Sequence, residues 1–499
     1  MLQCLGGCHD RMVNVLSKGT SIKEMFQWEL LGLGVCQAWI VSHLFFTHTI
    51  VSTYGDPYTF VLYAALFLTA IVITARSRRA DEILHSSCFL TYPLVLALLG
   101  CVGSALAIMG SSLGSEAYVF VGLALVGLCG AFFEVSWGRF YTELPSSHVW
   151  FNTILSMLLA AFLSLAVSVL PSRFFFPASV LQLVFMATAM ILVARRTDNA
   201  GYDLEANDFM QMARSDDKTG AALARFFAVC FIYPLIHMCA VSISYAHLDP
   251  VGVSDARTLA SISVSVVLLV AFLVVRMTDV MILFKLVLPV TALGLLVQML
   301  LPTELSRVAT FIVCGGNKLF SIMSFILLVE YLRVTRTVTV KPFALLVAAK
   351  NGGLLVGSII SALVMMLLEA NGLDHTTLVS ALVILLIVCF FWIFSEKVLY
   401  VPMQRTFNDN GSSGVDASRD EHMTTLMGNA ASLASANGLT PRETEVLMLL
   451  ARGKNRAAIM EELGISRGTA HAHITHVYQK LDVHGQQELI KLVEGVESV

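Results

Sequence analysis

Residues 465–483, ISRGTAHAHITHVYQKLDV, decide how the end of this chain folds. Ala470, Ile474, Val477 and Leu481 recur at spacings of 4, 3 and 4, which predicts one helix with a single apolar stripe. Ser466 stands where an N-cap belongs. His471, Thr475 and Gln479 recur on the opposite side, with Ala472 and His476 beside them. That face is polar, short and rich in donors and acceptors, which suits a helix lying in the major groove of DNA.

The residues around it extend the pattern. LTPRETEVLMLLARG, residues 439–453, opens with a strong helix start. Thr440 is placed to cap, Pro441 suits the first helical position, and Glu443 completes a capping box. Val446, Leu447 and Leu450 follow at helical spacing, and Gly453 fits the helix end. A second short helix fits Arg456 to Leu463, closed by Gly464. A fourth, roughly 486–496, carries Leu489, Ile490 and Val493 as an apolar strip.

Leu439 to Glu443, Gly453, Ile465, Ser466, Thr469, His473, Lys480 and Leu481 together closely resemble the LuxR-type (NarL/FixJ-like) helix-turn-helix. The resemblance covers the tail from 437 to 499. It implies binding to double-stranded DNA, often as a homodimer through the fourth helix, and a bacterial cell. It places His471, Ala472 and Thr475 at base edges, with His476 beside them on that face. It places Thr469, Lys454, Arg456 and Lys480 at phosphates. The family's usual Val-Lys pair is Ala470-His471 here, and a neutral imidazole is a weaker partner than lysine. The tail carries seven Lys and Arg against eight Asp and Glu, so no basic patch is evident. A helical protein-docking domain is the alternative. His471, His473 and His476 have no Cys, Asp or Glu beside them in sequence, so no metal is expected there.

The rest of the chain is of another kind. Of all residues 57% are hydrophobic and only 13% charged, with a mean hydropathy of +0.77. Soluble domains carry about 25% charged residues. Twelve apolar runs approach the roughly 20 residues needed to cross a bilayer. They lie near 28–48, 57–74, 88–109, 117–137, 150–170, 176–194, 222–247, 258–276, 279–301, 307–331, 343–369 and 377–396. Helices are expected, because backbone in lipid must satisfy its own hydrogen bonds. Alternate loops assigned to the inner side carry twelve Lys and Arg, against Arg173, Arg257 and Arg307 on the outer side. By the positive-inside rule both termini are expected to face the cytoplasm; together with the bacterial cell that the LuxR-type resemblance implies, the expectation is a multi-pass protein of the inner membrane, surrounded by lipid. The ten cysteines lie mostly in apolar runs and read as buried thiols. Cys4, Cys8 and His9 form a weak cluster without a fourth ligand.

The longest connection between runs, 197–220, separates six from six. The expected fold is all-α. A membrane domain of about twelve transmembrane helices fills 1–402, with halves near 28–196 and 222–397. A Gly-, Ser- and Asn-rich linker occupies 403–436, and a soluble four-helix DNA-binding domain occupies 437–499. Two halves of six also look like the major facilitator superfamily. That resemblance rests on topology, and the loop ARSRRADEILHSS, residues 75–87, lacks the glycines of that family's second loop.

Lysines within the spans need a reason, since each costs about 2.5–3.5 kcal/mol at mid-bilayer. Lys318 in CGGNKLF and Lys350 in AAKNGGL form mirror-like stretches on adjacent spans, with Asn317, Asn351 and four glycines. His237 is central in its own span. These five polar residues are candidates to line a cavity for a small anionic or polar ligand. The competing reading pairs the lysines with Glu134 or Glu330, or lets Lys350 and Lys285 snorkel. No cofactor is implied, and no phosphate-binding loop or nucleophile–base pair points to an enzyme. The expectation is a membrane-embedded transcription regulator whose membrane part senses a small molecule or a membrane state. A transporter with a regulatory tail is the alternative, and a passive anchor a third reading.

Overall fold

The computed structural model describes residues 25–47, 57–85, 91–198, 217–245, 248, 250–275, 280–300, 306–334, 339–371, 382, 385, 429–451, 459–460, 463, 467–483, 485, 488–489 and 492–493. The described residues are helices and short connections, with no strand among them. They fall into two compact units, one within Lys18–Gln404 and one holding 429 onwards.

In the first unit a 3₁₀ turn, Trp28–Leu31, leads into α1 (Gly32–Thr47). Then come α2 (Pro57–Ala75), a short amphipathic α3 (Ser77–His85), α4 (Tyr92–Leu113), α5 (Glu116–Tyr141), α6 (Ser146–Ser168) and α7 (Phe175–Asp198). The second set is α8 (Asp217–Tyr245), α9 (Pro250–Val270), α10 (Val280–Leu300), α11 (Ser306–Val334) and α12 (Lys341–Asn371). Each of the first eleven apolar runs coincides with one of these helices. The twelfth, 377–396, lies outside the described residues apart from Leu382 and Leu385. Nine helices among the described residues are long and apolar enough to cross a bilayer. Leu98, Val121, Leu181, Val267 and Leu363 are among many large apolar side chains left exposed. Water would penalise that surface, and lipid does not.

The helices pair in a pattern that repeats. α1 packs on α6 as α8 packs on α12. α4 and α5 pair as α10 and α11 do, and α2 meets α5 as α9 meets α11. Between the two sets, α2 packs on α12 and α6 on α9. At the latter seam a π-helical turn, Ala271–Val275, presents Phe272 to Trp150, ring centroids 6.5 Å apart and nearly parallel.

Lipid offers no hydrophobic drive between helices, so close approach and polar contacts hold them. Gln298 on α10 donates to Ser244 Oγ on α8 at 3.2 Å, and Thr310 on α11 donates to the same oxygen at 2.8 Å. Such contacts contribute about 0.6 kcal/mol each. Gly353 on α12 lies directly against the Phe231 carbonyl of α8, where a methyl group has no room. α11 and α12 run unbroken through the paired glycines, of which Gly316, Gly352 and Gly353 serve close approach and Gly315 does not. At one end of the bundle, Asp81 on α3 accepts from Val340 N at 3.0 Å and from the Thr339 hydroxyl at 2.7 Å. It thereby caps α12 and meets the positive end of that helix dipole. Nearby chain connects Ser146, at the start of α6, to Glu330 on α11 at 2.5 Å.

In the second unit, helix α13 (429–436) ends at Gly438, whose φ of 62° is the left-handed turn glycine favours. α14 (Pro441–Ala451) and α15 (Arg467–Lys480) follow. The capping box forms: Thr440 N donates to Glu443 Oε2 at 2.8 Å, and Glu443 N donates to Thr440 Oγ1 at 3.4 Å. Ala470, Ile474, Val477 and Leu481 are all buried, as their spacing predicts, and the last three share a core with Val446, Leu447 and Leu450 of α14. α15 ends in a turn with Asp482 at φ 51°, and Val483 N donates back to Tyr478 O at 3.0 Å.

Glu443 also accepts from Lys480 Nζ at 2.7 Å, tying α14 to the end of α15. The lysine first, then the backbone N–H of Thr440, hold its carboxyl well below the usual range, at about 2. The lowered value means the contact stabilises the fold fully above about pH 4.5 and is lost as pH falls towards 2. The loss is limited to about 1.4 kcal/mol per pH unit for one proton. Hydrogen-exchange protection of 441–451, corrected for intrinsic rate, is expected to fall between about pH 5 and pH 3. Glu443→Gln is expected to be less protected at neutral pH and to show a flatter pH dependence. In the first unit, Gly353→Ala is expected to lower the melting temperature in detergent. Gly315→Ala, whose added methyl meets only Val264 at 3.5 Å and Ala260 at 4.0 Å, is expected to leave it nearly unchanged.

Candidate functional site

The two units each hold a candidate site. On α15 the buried stripe turns the opposite face outward. His471, Ala472, Thr469 and His476 are exposed, and Thr475 is half-buried. The Thr475 hydroxyl donates to the His471 carbonyl at 2.9 Å, so it has to rotate before it can meet a base. His476 Nδ1 lies 3.5 Å from Glu443 Oε1. Lys480 has two of its three ammonium hydrogens occupied within the unit, by Glu443 at 2.7 Å and the Gly438 carbonyl at 3.1 Å. Lys454 and Arg456 lie outside the described residues. In the fourth segment Leu489 and Val493 are fully buried in the unit's own core, so a dimer face there must use other residues. Among the described residues no cluster of His, Cys, Asp or Glu could hold a metal.

The second candidate is a cavity of about 210 Å³ inside the helix bundle. All five residues singled out for ligand contact line it: His237 on α8, Asn317 and Lys318 on α11, Lys350 and Asn351 on α12. Residues from the first helix set complete it, among them Gln37 on α1, Glu134 on α5 and Met157 on α6. Lys350 Nζ lies 3.4 Å from Glu134 Oε1, so this lysine is paired across the two helix sets and does not snorkel. The Gln37 amide donates to the same oxygen. The other oxygen of Glu134 is buried with no hydrogen-bond partner among the described residues. Glu330 is engaged elsewhere, by Ser146 and by Arg333 at 2.6 Å. Lys318 therefore has neither carboxylate, and its polar contact is Met157 Sδ at 3.5 Å. His237 is buried with Nδ1 unbonded. Asn351 donates to Val347 O of its own helix at 2.8 Å. The side chain of Lys285 lies outside the described residues.

Three contributors escaped the sequence. Arg257 was expected in an outer loop; it lies inside α9, which begins at Pro250, and it lines the cavity. The polar stretch VGVSDAR lowers the local hydropathy and hides the first two turns of that helix. Pro234 lies inside α8 at the cavity wall, and its missing N–H leaves the Cys230 carbonyl without its usual helical donor. A proline within an apolar run was the available signal. Gln37 carries the same signal as Asn317 and Asn351, an amide inside an apolar run.

Comparison with known proteins bears on both parts. Residues 437–493 match the family described as bacterial regulatory proteins, luxR family. The chain is 47% identical over 58 residues to the uncharacterized response regulatory protein YgeK of Escherichia coli, 12% of this chain and 40% of that one. It is 46% identical over 57 residues to the transcriptional regulatory protein DesR of Bacillus subtilis, 11% of this chain and 29% of that one. The chain thus spans well under two thirds of the curated relatives it matches. Similar solved structures include the human organic anion transporter MFSD10, at TM-score 0.49 and 10% identity, over 73% of this chain and 97% of that one. The Escherichia coli fucose:proton symporter FucP follows at TM-score 0.45 and 14% identity, over 75% of this chain and 97% of that one. The helix pairing described above stands without them. Residues 437–493 are a LuxR-family helix-turn-helix domain, carried on a chain whose larger part is an apolar bundle of membrane-length helices.

Proposed function

We propose that this protein is a membrane-embedded transcription regulator. Its bundle, within 1–402, senses a small molecule or membrane state, and a linker that starts at 403 and ends before α13 presents the DNA-binding domain at the cytoplasmic face of the inner membrane. The observation that carries the reading is one chain holding both a LuxR-family domain and a bundle with a polar, charged central cavity. A ligand that favours one arrangement of the bundle would shift the population between two states, and so alter the reach or pairing of the tail. His471, Ala472 and Thr475 face the bases, with His476 at the edge. Thr469, Lys454 and Arg456 hold phosphates, and Lys480 contributes there through the one hydrogen it has left. Two copies pair through the outward side of the fourth helix. No catalytic step is assigned to the chain.

A second reading is favoured by one observation. The cavity lies between two helix sets whose pairing repeats, an arrangement that also suits a transporter with a regulatory tail. Counterflow of a labelled substrate in proteoliposomes separates the two.

The test is DNA occupancy in cells, mapped by crosslinking the full chain beside a His471→Ala/Thr475→Ala version. Discrete sites that disappear in the double variant are expected. Absence of discrete sites, with the protein in the membrane, contradicts the reading. In detergent, the full chain is expected to show a shallow salt dependence, because its tail has no excess of basic residues. A slope of log affinity on log salt of about −9, that of a protein making about ten phosphate contacts, would exceed what the seven Lys and Arg of one tail can make and would count against this reading.

A further inference from the structure

One ammonium on the wall of the bundle cavity, that of Lys318, has no carboxylate within reach among the described residues. Lys318 and Lys350 line the cavity with Arg257, and the one carboxylate among its described lining residues is Glu134. Glu134 already serves Lys350, at 3.4 Å, and Gln37. Lys318 is left with a thioether at 3.5 Å, a weak acceptor that does not compensate an ammonium taken out of water. Beside it, Asn317 faces the same space, and His237 adds a buried ring nitrogen with no bond. The wall also carries rings, including Phe320, Phe325 and Phe343. The volume of about 210 Å³ is below the usual range of roughly 300–1,000 Å³ for small-molecule sites.

Resting on the sensor reading above, we propose that the cavity binds a small monocarboxylate with an apolar body of about one ring. Its carboxylate lies between Lys318 and Lys350, and its body lies against the phenylalanines. The geometry around Glu134 supports the choice of head group: Lys350 and Gln37 already converge on one oxygen of a carboxylate there. A single uncompensated ammonium calls for a single negative charge. A zwitterionic amino acid fits poorly, since its ammonium would sit beside that of Lys318 and would find Glu134 already engaged by Lys350 and Gln37. Glu134 acts as an internal anion that competes for Lys350. Since α5 and α12 belong to different helix sets, a bound acid that takes Lys350 from Glu134 loosens a tie between them.

The experiment is equilibrium binding to the full chain in lipid nanodiscs. The probes are benzoate, phenylacetate and cyclohexanecarboxylate, each beside its uncharged amide. At least one acid is expected to bind, with its amide at least about ten-fold weaker. Lys318→Met is expected to bring that acid to the level of its amide. Lys318→Arg, which keeps the charge, is expected to stay within a few-fold of the unmodified chain and shows that the site still folds. Glu134→Gln is expected to tighten the acid, because its competitor is removed. The proposal is overturned if no acid binds, if acid and amide bind alike, or if Lys318→Met leaves the acid unaffected. Weaker binding in Glu134→Gln overturns the competition. These readouts do not involve DNA. An acid that binds without altering DNA occupancy keeps this site and removes the sensor reading; ligand-dependent occupancy with no acid bound does the reverse.

Discussion

An ammonium inside a bilayer has to meet a counter-ion, reach the interface or face a polar space, and the centre of this bundle is arranged around that requirement. Lys350 meets it through Glu134, which reaches across from the other helix set. Lys318 meets it only by facing the cavity. The same ion pair that satisfies one lysine therefore joins the two sets at mid-bundle, while Asp81 on the α12 N-terminus and Ser146 on Glu330 join them nearer one end. Any rearrangement of the sets has to break or keep these few polar ties. The surrounding apolar contacts have no preference that lipid could not also satisfy.

The DNA-binding unit depends on a carboxylate as well, in the opposite medium. Glu443 closes the capping box at the start of α14 and holds Lys480 at the end of α15. One side chain therefore fixes both the start of the first helix and its docking on the helix that presents His471 and Thr475. In the small core below, Val446, Leu447, Val477 and Leu489 are fully buried, and on the face above it Ala472 is the one apolar side chain beside His471, Thr475 and His476.

Much of this was legible before any coordinates. A 3.6-residue period states which face of α15 is buried, and Thr440, Pro441 and Glu443 state where α14 starts. Length and hydropathy locate the spans because lipid allows few alternatives. Periodicity does not say which spans meet, and each feature that depended on distant pairing was hidden. Asp81 caps a residue 259 positions away, and Lys350 finds Glu134 216 positions away. The family pattern places Lys480 among phosphates and is silent on Glu443, 37 residues earlier, which holds it. Arg257 was misplaced because a hydropathy window averages a polar first turn into the preceding loop. The five cavity residues were legible for a simpler reason: a polar group in an apolar run needs an explanation.

The central claim is that the state of the cavity controls what the tail does on DNA. Crosslinked DNA occupancy of the unmodified chain, Lys318→Met and Glu134→Gln, at equal amounts in the membrane, tests it most directly. The account predicts that both substitutions change the pattern or extent of occupancy, although neither residue belongs to the DNA-binding unit. Identical occupancy in all three would contradict it and leave the bundle as an anchor.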